Sequence, residues 1–269
     1  IGFNRVDSLS RVVETVLKYD CPMYDIHVFI DGACPDEVLN YVTKLEADTN
    51  FHINLHLQQD NIGLALHIKY VGDTLAKSYS RFIMLEDDLV IGPLWFDKLY
   101  RMFDVSLEQN AHGVSLYSPR LIEGVGMLFY PYAPDDFYLM DVPSSWGQGW
   151  TSENWNKFSD WWSKLNYFDC STILRKFNAP QNILNWSEKS WKRYYQAYLL
   201  EFNKCLLYPK ISITSPTGKP GTHHIRQAIE LITDIQSLNT KHLKDHYAPR
   251  YDCHYNRYKS EVKLNTDAN

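Results

Sequence analysis

Residues 86–88 read Glu-Asp-Asp and follow directly on the apolar run Phe82 to Leu85. Successive carboxylates at the end of a buried segment repel one another, and each loses solvation on burial unless it is paired. Two arrangements relieve this. The acids fan into water as a solvated turn, or a cation sits among them. Carboxylate oxygens are the ligands that Mg2+ and Mn2+ prefer, and such an ion needs few protein ligands where phosphate oxygens and water complete its shell. Asp31, before Gly32, closes another apolar run, and Arg5 follows the apolar opening "IGF".

The elements that must bring these residues together alternate in type. "IGF" reads as a strand end, and Asp7 or Ser8 caps a helix with Leu9, Val12, Val13, Val16 and Leu17 on one face. Strands follow at 25–32, 51–59 and 81–88, and helices at 35–47, 61–78 and 94–109. This β-α alternation predicts an α/β fold, a mostly parallel sheet flanked by helices. Ligands of such sheets sit beyond the carboxyl ends of the strands, where Arg5, Asp31 and the acid triplet all fall.

After Gln109 the texture changes. A strand is expected at 112–118, then an aromatic-rich stretch with Trp146, Gly147 and Trp150. Thr151 or Ser152 caps a helix carrying Trp155, Phe158 and Trp162 on one side. A helix over 186–203 and one strand over 204–215 come next, then a Gly/Pro loop with His223 and His224. A helix is expected from 225 to 243, and an extended or disordered tail beyond it.

Composition narrows the function. A chain of 269 residues with net charge -5 is not a general nucleic-acid binder. No apolar run approaches the ~20 residues of a membrane span. The five cysteines are scattered, without a C-x-x-C pair, which fits neither a disulfide framework nor a zinc site and suits a reducing compartment. An opening on a strand end is the look of a piece of a larger, multidomain chain.

The stretches "FNRVDSLSRVVETVL", "VFIDG", "NIGLALHIKYVGDTLA" and "FIMLEDDLVIGPLWF" occur in this order up to residue 96. In that order they resemble nucleotide-sugar glycosyltransferases of the GT-A (Rossmann-like) fold. The chain looks like the bacterial family-2-like enzymes that build surface polysaccharides. It is more distantly similar to N-acetylglucosaminyltransferase I, which has an acidic triplet at the same point. The resemblance implies a nucleotide-sugar-binding subregion at 1–109, an acceptor and catalytic subregion at 110–225 of the same domain, and a C-terminal helix and tail at 226–269. It implies a UDP-linked donor, a saccharide or lipid-linked saccharide acceptor, Mn2+ or Mg2+, and a cytoplasmic protein peripheral to the inner membrane face.

Roles follow position by position from that resemblance. Asp88 is the metal ligand, with Glu86 and Asp87 on ribose or metal-bound water. Asp31 reads as the uracil acid, or as a turn-forming Asp before Gly. Arg5 is a diphosphate or base contact, or a surface arginine. His67 approaches the base, or packs under the sheet. Trp146 or Trp150 stacks on a sugar face and Gly147 allows close backbone approach, or the segment is a Trp-rich structural turn. Glu188 stands where related enzymes carry an Asp as base, with an extra Ser187 before it. It reads as the base of an inverting displacement or as a helix-start acid, with Asp135, Asp136 and Asp141 as competitors. His223, slightly ahead of His224, touches metal or diphosphate, or lies in a surface loop. Two other classes stay open: a metal-dependent nucleotidyl- or phosphotransferase, though no phosphate-cradling Gly loop or catalytic Lys is evident, and a non-catalytic carbohydrate-binding domain.

Overall fold

Periodic apolar residues in the first third of the chain build helices that close over a small parallel pair. The computed structural model describes residues 1–18, 24–48, 52–93, 95–133, 136–217 and 248–258. Helix α1 (Val6–Leu17) starts at Val6 with Arg5 as N-cap, so Asp7 and Ser8 lie in its first turn rather than before it. Strands β1 (Ile26–Ile30) and β2 (Ile53–Leu57) pair in parallel. Leu9, Val13, Val28, Ile30 and, from α2 (Asp36–Glu46), Val38 and Val42 form one buried cluster between them.

Gly2 ties this pair to the rest. It bridges Ile30 in parallel, its N–H donating to the Phe29 carbonyl at 3.0 Å and its carbonyl accepting from Asp31 N–H at 3.2 Å. Next to it, the Ile1 nitrogen donates to the Leu85 carbonyl at 2.8 Å. Leu85 directly follows β3 (Arg81–Met84). The ends of β1 and β3 are therefore fastened to one short piece of chain, and Asp31 and Glu86 emerge on the same side.

The larger sheet is mixed. Its order is β10-β6-β8-β5-β7-β3, from β5 (Gly113–Ser115), β6 (Phe137–Met140), β7 (Gln148–Thr151), β8 (Leu206–Pro209) and β10 (Arg250–Tyr251). β5–β8 and β6–β10 pair in parallel; β3–β7, β5–β7 and β6–β8 are antiparallel. After α4 (Trp95–Glu108) the regular β-α alternation ends, and antiparallel pairs (β5–β7, β6–β8, β3–β7) join the parallel ones. Because β3 pairs with β7, the two halves of the chain share one sheet. The single strand expected over 204–215 is broken at Lys210–Ile213. Its second part, β9 (Thr214–Pro216), pairs instead with β4 (Leu89–Ile91) as a separate ribbon. The helix expected at 225–243 lies outside the described residues. Residues 248–258 are not an extended tail: Tyr251 and Cys253 are buried, and Arg250 Nε meets Asp141 at 2.7 Å.

Helix α3 (Leu64–Ser78) carries the join between halves, packing on α5 (Ser152–Trp162) and α8 (Trp191–Glu201). Thr151 caps α5 through Asn154 N–H, and Trp155, Phe158 and Trp162 are buried as expected. Trp155 lies directly on Gly72: a Cβ at 72 would stand 2.0 Å from its ring. Trp155 Nε1 donates to Asp73 at 2.8 Å, and Asp73 also accepts from Lys69 and Ser159, both at 2.6 Å. Deeper in the core, Trp150 Nε1–H donates to Tyr195 Oη and Tyr195 reaches His112 Nδ1, each at 2.7 Å. The Tyr195 hydroxyl and His112 Nδ1 thus share the second bond, and His112 Nε2 is buried without a partner.

Two outcomes follow from this chain. Tyr195→Phe leaves the Trp150 N–H and His112 Nδ1 unpaired, and urea unfolding should show a loss of about 2–4 kcal/mol. Burial, reinforced by Lys204 and Lys157, pushes the His112 pKa down to about 3 from 6.5. The unfolded chain then takes up this proton first, so stability falls as pH drops from about 6.5 towards 3. His112→Asn, which keeps an acceptor near Nδ1, should flatten that acid limb in pH-dependent unfolding.

Candidate functional site

The acid triplet does not fan out. Asp87 is buried and turned inward onto Arg5, whose Nη2 forms an ion pair with Oδ1. Arg11, one helical face along from Arg5, donates to the Asp87 carbonyl at 3.4 Å and the Leu89 carbonyl at 3.3 Å. Helix α1 therefore supplies two guanidinium groups to the turn. Asp88 accepts Thr217 N–H on its carbonyl at 2.8 Å, which draws the β4–β9 ribbon over the triplet. Glu86 is half-buried, its Oε1 buried without a hydrogen-bond partner. Burial, and then the charges of Asp88 and Asp87, push its pKa up to about 8, against the pull of the Lys192 ammonium.

Asp31 is buried and spent largely on its own surroundings. Oδ1 accepts from Gly32 N–H at 2.9 Å and Ile62 N–H at 3.0 Å; Oδ2 accepts from Gly63 N–H at 3.1 Å. It shapes the turn that starts α3. One turn later on that helix stands His67, buried, with Nδ1 at 3.9 Å from Asp31 Oδ1 and neither ring nitrogen hydrogen-bonded. Burial holds its pKa down to about 4, against the Asp31 carboxylate, so the ring is neutral at pH 7.

The second half contributes an aromatic wall with one cation. Trp146 is half-exposed, packs edge-on against Tyr117 at 4.6 Å, and has Lys192 Nζ at 5.9 Å from its ring. Lys192 lies nearer the Trp186 ring, at 4.6 Å. Gly147, at φ +85°, turns the chain into β7 and accepts from Leu116 N–H at 2.7 Å. Glu188 is exposed in the turn between Ser187 and Ser190, and Ser187 Oγ accepts from Lys189 N–H at 3.2 Å. The turn is anchored from below. Fully buried Arg193 donates from Nη1 to the carbonyls of Ile183, Leu184 and Trp186 at 3.2, 2.7 and 2.8 Å, and from Nη2 to Ser171 at 2.9 Å.

Around the strand ends several polar atoms are buried without hydrogen-bond partners: Arg5 Nε, both His67 nitrogens, Glu86 Oε1, both amide ends of Gln148 and Thr217 Oγ1. Gln148 lies opposite Met84 in the β3–β7 register, two residues before Glu86. Native interiors satisfy nearly all such atoms. Most of the unpartnered buried atoms gather at this edge, and the Glu86 carboxylate oxygen among them is the kind of donor a hard divalent cation takes. Among the described residues no group of three or more His, Cys, Asp or Glu side chains is arranged to hold a metal.

The structure thus gathers Arg5, Asp31, His67 and Glu86–Asp88 at one edge, and the charge of Lys192, which lies over the Trp146 ring, is felt by Glu86. Trp150 is elsewhere: fully buried, it is a core ring unable to stack on a sugar. Asp141 is removed as a competing base, since Arg250 and Tyr258 occupy both carboxylate oxygens. Asp136, at φ +68°, serves a backbone turn. Asp135, His223 and His224 lie outside the described residues. Lys192, Trp186, Arg193 and Gln148 went unread in sequence, because nothing local distinguishes them from an ordinary helix face or strand.

No family model and no curated protein matches the sequence. Among solved structures, the fold is similar to GalNAc-T7 with UDP, GalNAc and Mn2+, with TM-score 0.49 and 11% identity over 78% of this chain and 41% of that one. It is also similar to S. aureus TarS 1-349, with TM-score 0.46 and 12% identity over 81% of this chain and 59% of that one. The chain spans less than two thirds of the length of either.

Asp31→Asn exchanges acceptor capacity for N–H groups that face backbone donors. Gly63 N–H also has Asn61 Oδ1 at 2.9 Å, and Asn keeps one carbonyl oxygen. In hydrogen exchange the amide of Ile62 or Gly63 left facing the new NH2 group should exchange faster, and the other should too through loss of charge, with a combined loss of about 1.5–3 kcal/mol in the turn.

Proposed function

We propose that the chain is a GT-A glycosyltransferase that moves a sugar from a UDP-linked donor to a hydroxyl of a saccharide acceptor. The observation that carries this reading is the set of buried, unpartnered polar atoms around an acid triplet at adjoining strand ends, where an open α/β sheet takes its ligand. Asp88, with Glu86 beside it, would hold a divalent cation, and His223 is a further candidate ligand. When bound, that cation offsets the charge that collects on the departing diphosphate.

The other steps belong to this chain's own groups. Arg5 stays locked on Asp87 and keeps the triplet from spreading. Asp31 holds the Ile62–Gly63 turn as one wall of the nucleotide pocket, and neutral His67 offers a lone pair and an N–H without bringing charge. Trp146 gives the sugar an apolar face, and Gly147 brings backbone close to it. Glu188 takes the proton of the acceptor hydroxyl as that oxygen bonds the anomeric carbon and the bond to the diphosphate oxygen breaks. Attack comes from the face opposite the diphosphate, so the configuration inverts. The exposure of Glu188 suits a base that meets its partner only when acceptor binds.

Thermal unfolding with UDP and Mn2+ tests the donor half. At about 100 Kd the midpoint should rise by roughly 5–10 °C, and Asp88→Asn should abolish the rise. Glu188→Gln should keep the rise and lower transfer by about 10²–10⁴-fold. Full turnover by Glu188→Gln removes the base assignment. Stabilisation by free sugars without UDP would point to a binding module instead.

A further inference from the structure

Lys192 is half-buried in the first turn of α8 and pinned there by two rings. Its Nζ lies 4.6 Å from the Trp186 ring and 5.9 Å from the Trp146 ring. Both rings are themselves held. Trp186 donates from Nε1 to Glu123 Oε1 at 3.2 Å, and its carbonyl accepts from Arg193 at 2.8 Å. Trp146 packs edge-on against Tyr117, and its carbonyl accepts from Thr214 Oγ1 at 2.6 Å. The ammonium therefore stands at a fixed place. Fixing a lysine costs side-chain entropy, which cation–π contact at a half-exposed position offsets only in part.

No protein anion supplies the rest. Among the described residues no carboxylate closes on Lys192 as an ion pair, and the first turn of α8 has no acid. Glu86 feels the ammonium as a charge at a distance. The other cations near the triplet and the Glu188 turn are committed: Arg5 to Asp87, Arg11 to two carbonyls, and Arg193 to four oxygen atoms. Lys189, in the turn itself, is exposed, and a solvated lysine needs no partner. A cation withdrawn from water ordinarily has a counter-ion. Here the protein fixes the cation and leaves the anion to be brought in.

We propose that Lys192 is the anion-binding residue of this site, its ammonium taking a phosphate or carboxylate oxygen of the substrate. Its place fits the task. Trp186 ties it to the turn that carries Glu188, two residues on, and its field reaches Glu86 on the other side. An anionic substrate approaching the strand ends meets carboxylates on both flanks, and an ammonium between them offsets that repulsion. Arg5, the residue the sequence marks for a diphosphate, is turned inward onto Asp87. The anionic oxygen has two sources: the diphosphate of the donor, or an acid group on the acceptor saccharide. Naming those two ligands rests on the transfer reading; the anion site does not.

Two arms separate the sources. The first titrates wild type and Lys192→Gln with UDP and with uridine, both with Mn2+. The second follows glucuronate and glucose by saturation-transfer NMR without metal. If the diphosphate is the partner, Lys192→Gln should weaken UDP by about 10–100-fold and leave uridine unchanged. If the acceptor brings the anion, the variant should keep UDP and lose a preference for glucuronate over glucose. In either case Lys192→Arg should restore most of the loss, and the thermal midpoint without ligand should stay at the wild-type value. An equal loss for UDP and uridine with a lowered midpoint marks a structural lysine and overturns the proposal. Wild type that binds UDP–Mn2+, with Lys192→Gln unchanged in both arms, removes the anion site and leaves the transfer reading. Wild type that ignores UDP–Mn2+ yet selects glucuronate through Lys192 removes the transfer reading and leaves the anion site. Wild type that responds in neither arm overturns both.

Discussion

Like charges cannot share a strand end without compensation, and the fold around Glu86, Asp87 and Asp88 is organised by that constraint. Each acid is dealt with differently. Asp87 is neutralised by Arg5, Glu86 stays under the influence of Lys192, and Asp88 takes part in the backbone contact to Thr217. The compensating charges come from α1 and from α8, while the segment after β9 binds the backbone of the turn. Folding the site thus requires the first helix, the last long helix and the ribbon to be in place together. Its electrostatics and its tertiary structure are one problem.

The same edge is where local rules are left unmet. A neutral buried imidazole with no partner, a buried glutamine amide with none and a carboxylate pushed towards protonation each cost stability. Elsewhere the core is conservative. Trp150, Tyr195 and His112 are linked in a chain that ends on His112 Nε2, itself buried without a partner, and Arg193 spends its guanidinium on four oxygen atoms of neighbouring segments. Most of the unpartnered buried atoms nevertheless gather at the strand-end edge.

Much of this was legible in the sequence where local physics decides. Period-3.6 apolar runs located α1 to α4, and Thr151 announced α5 because an N-cap hydroxyl has a mechanism that acts over three residues. The clustering of Arg5, Asp31 and the triplet followed from where β-α units place their ligands. The strands of the second half were harder. β6 is buried throughout and β7 in all but its last residue, so neither shows alternation, and the run from 204 to 215 gave no sign that its two halves join different sheets. Trp146 and Trp150 look equivalent in sequence, but Trp146 stands half-exposed in the bend before β7, whereas Trp150 lies within β7 and is buried in the core. Arg193 and Gln148 owe their importance to long-range contacts that no short window contains.

Gly72 adds a consequence for the history of the chain. With Trp155 resting on the bare backbone of α3, neither position is free to change alone. Alanine at 72 needs a smaller ring at 155, and a smaller ring would loosen the Asp73 contact that the indole N–H supplies. The two residues should therefore covary among relatives as a Gly–Trp pair, replaced together or not at all. That pair joins the half of the chain proposed to hold the donor to the half proposed to receive the acceptor, so divergence in either half would have to respect a junction set by one missing methyl group.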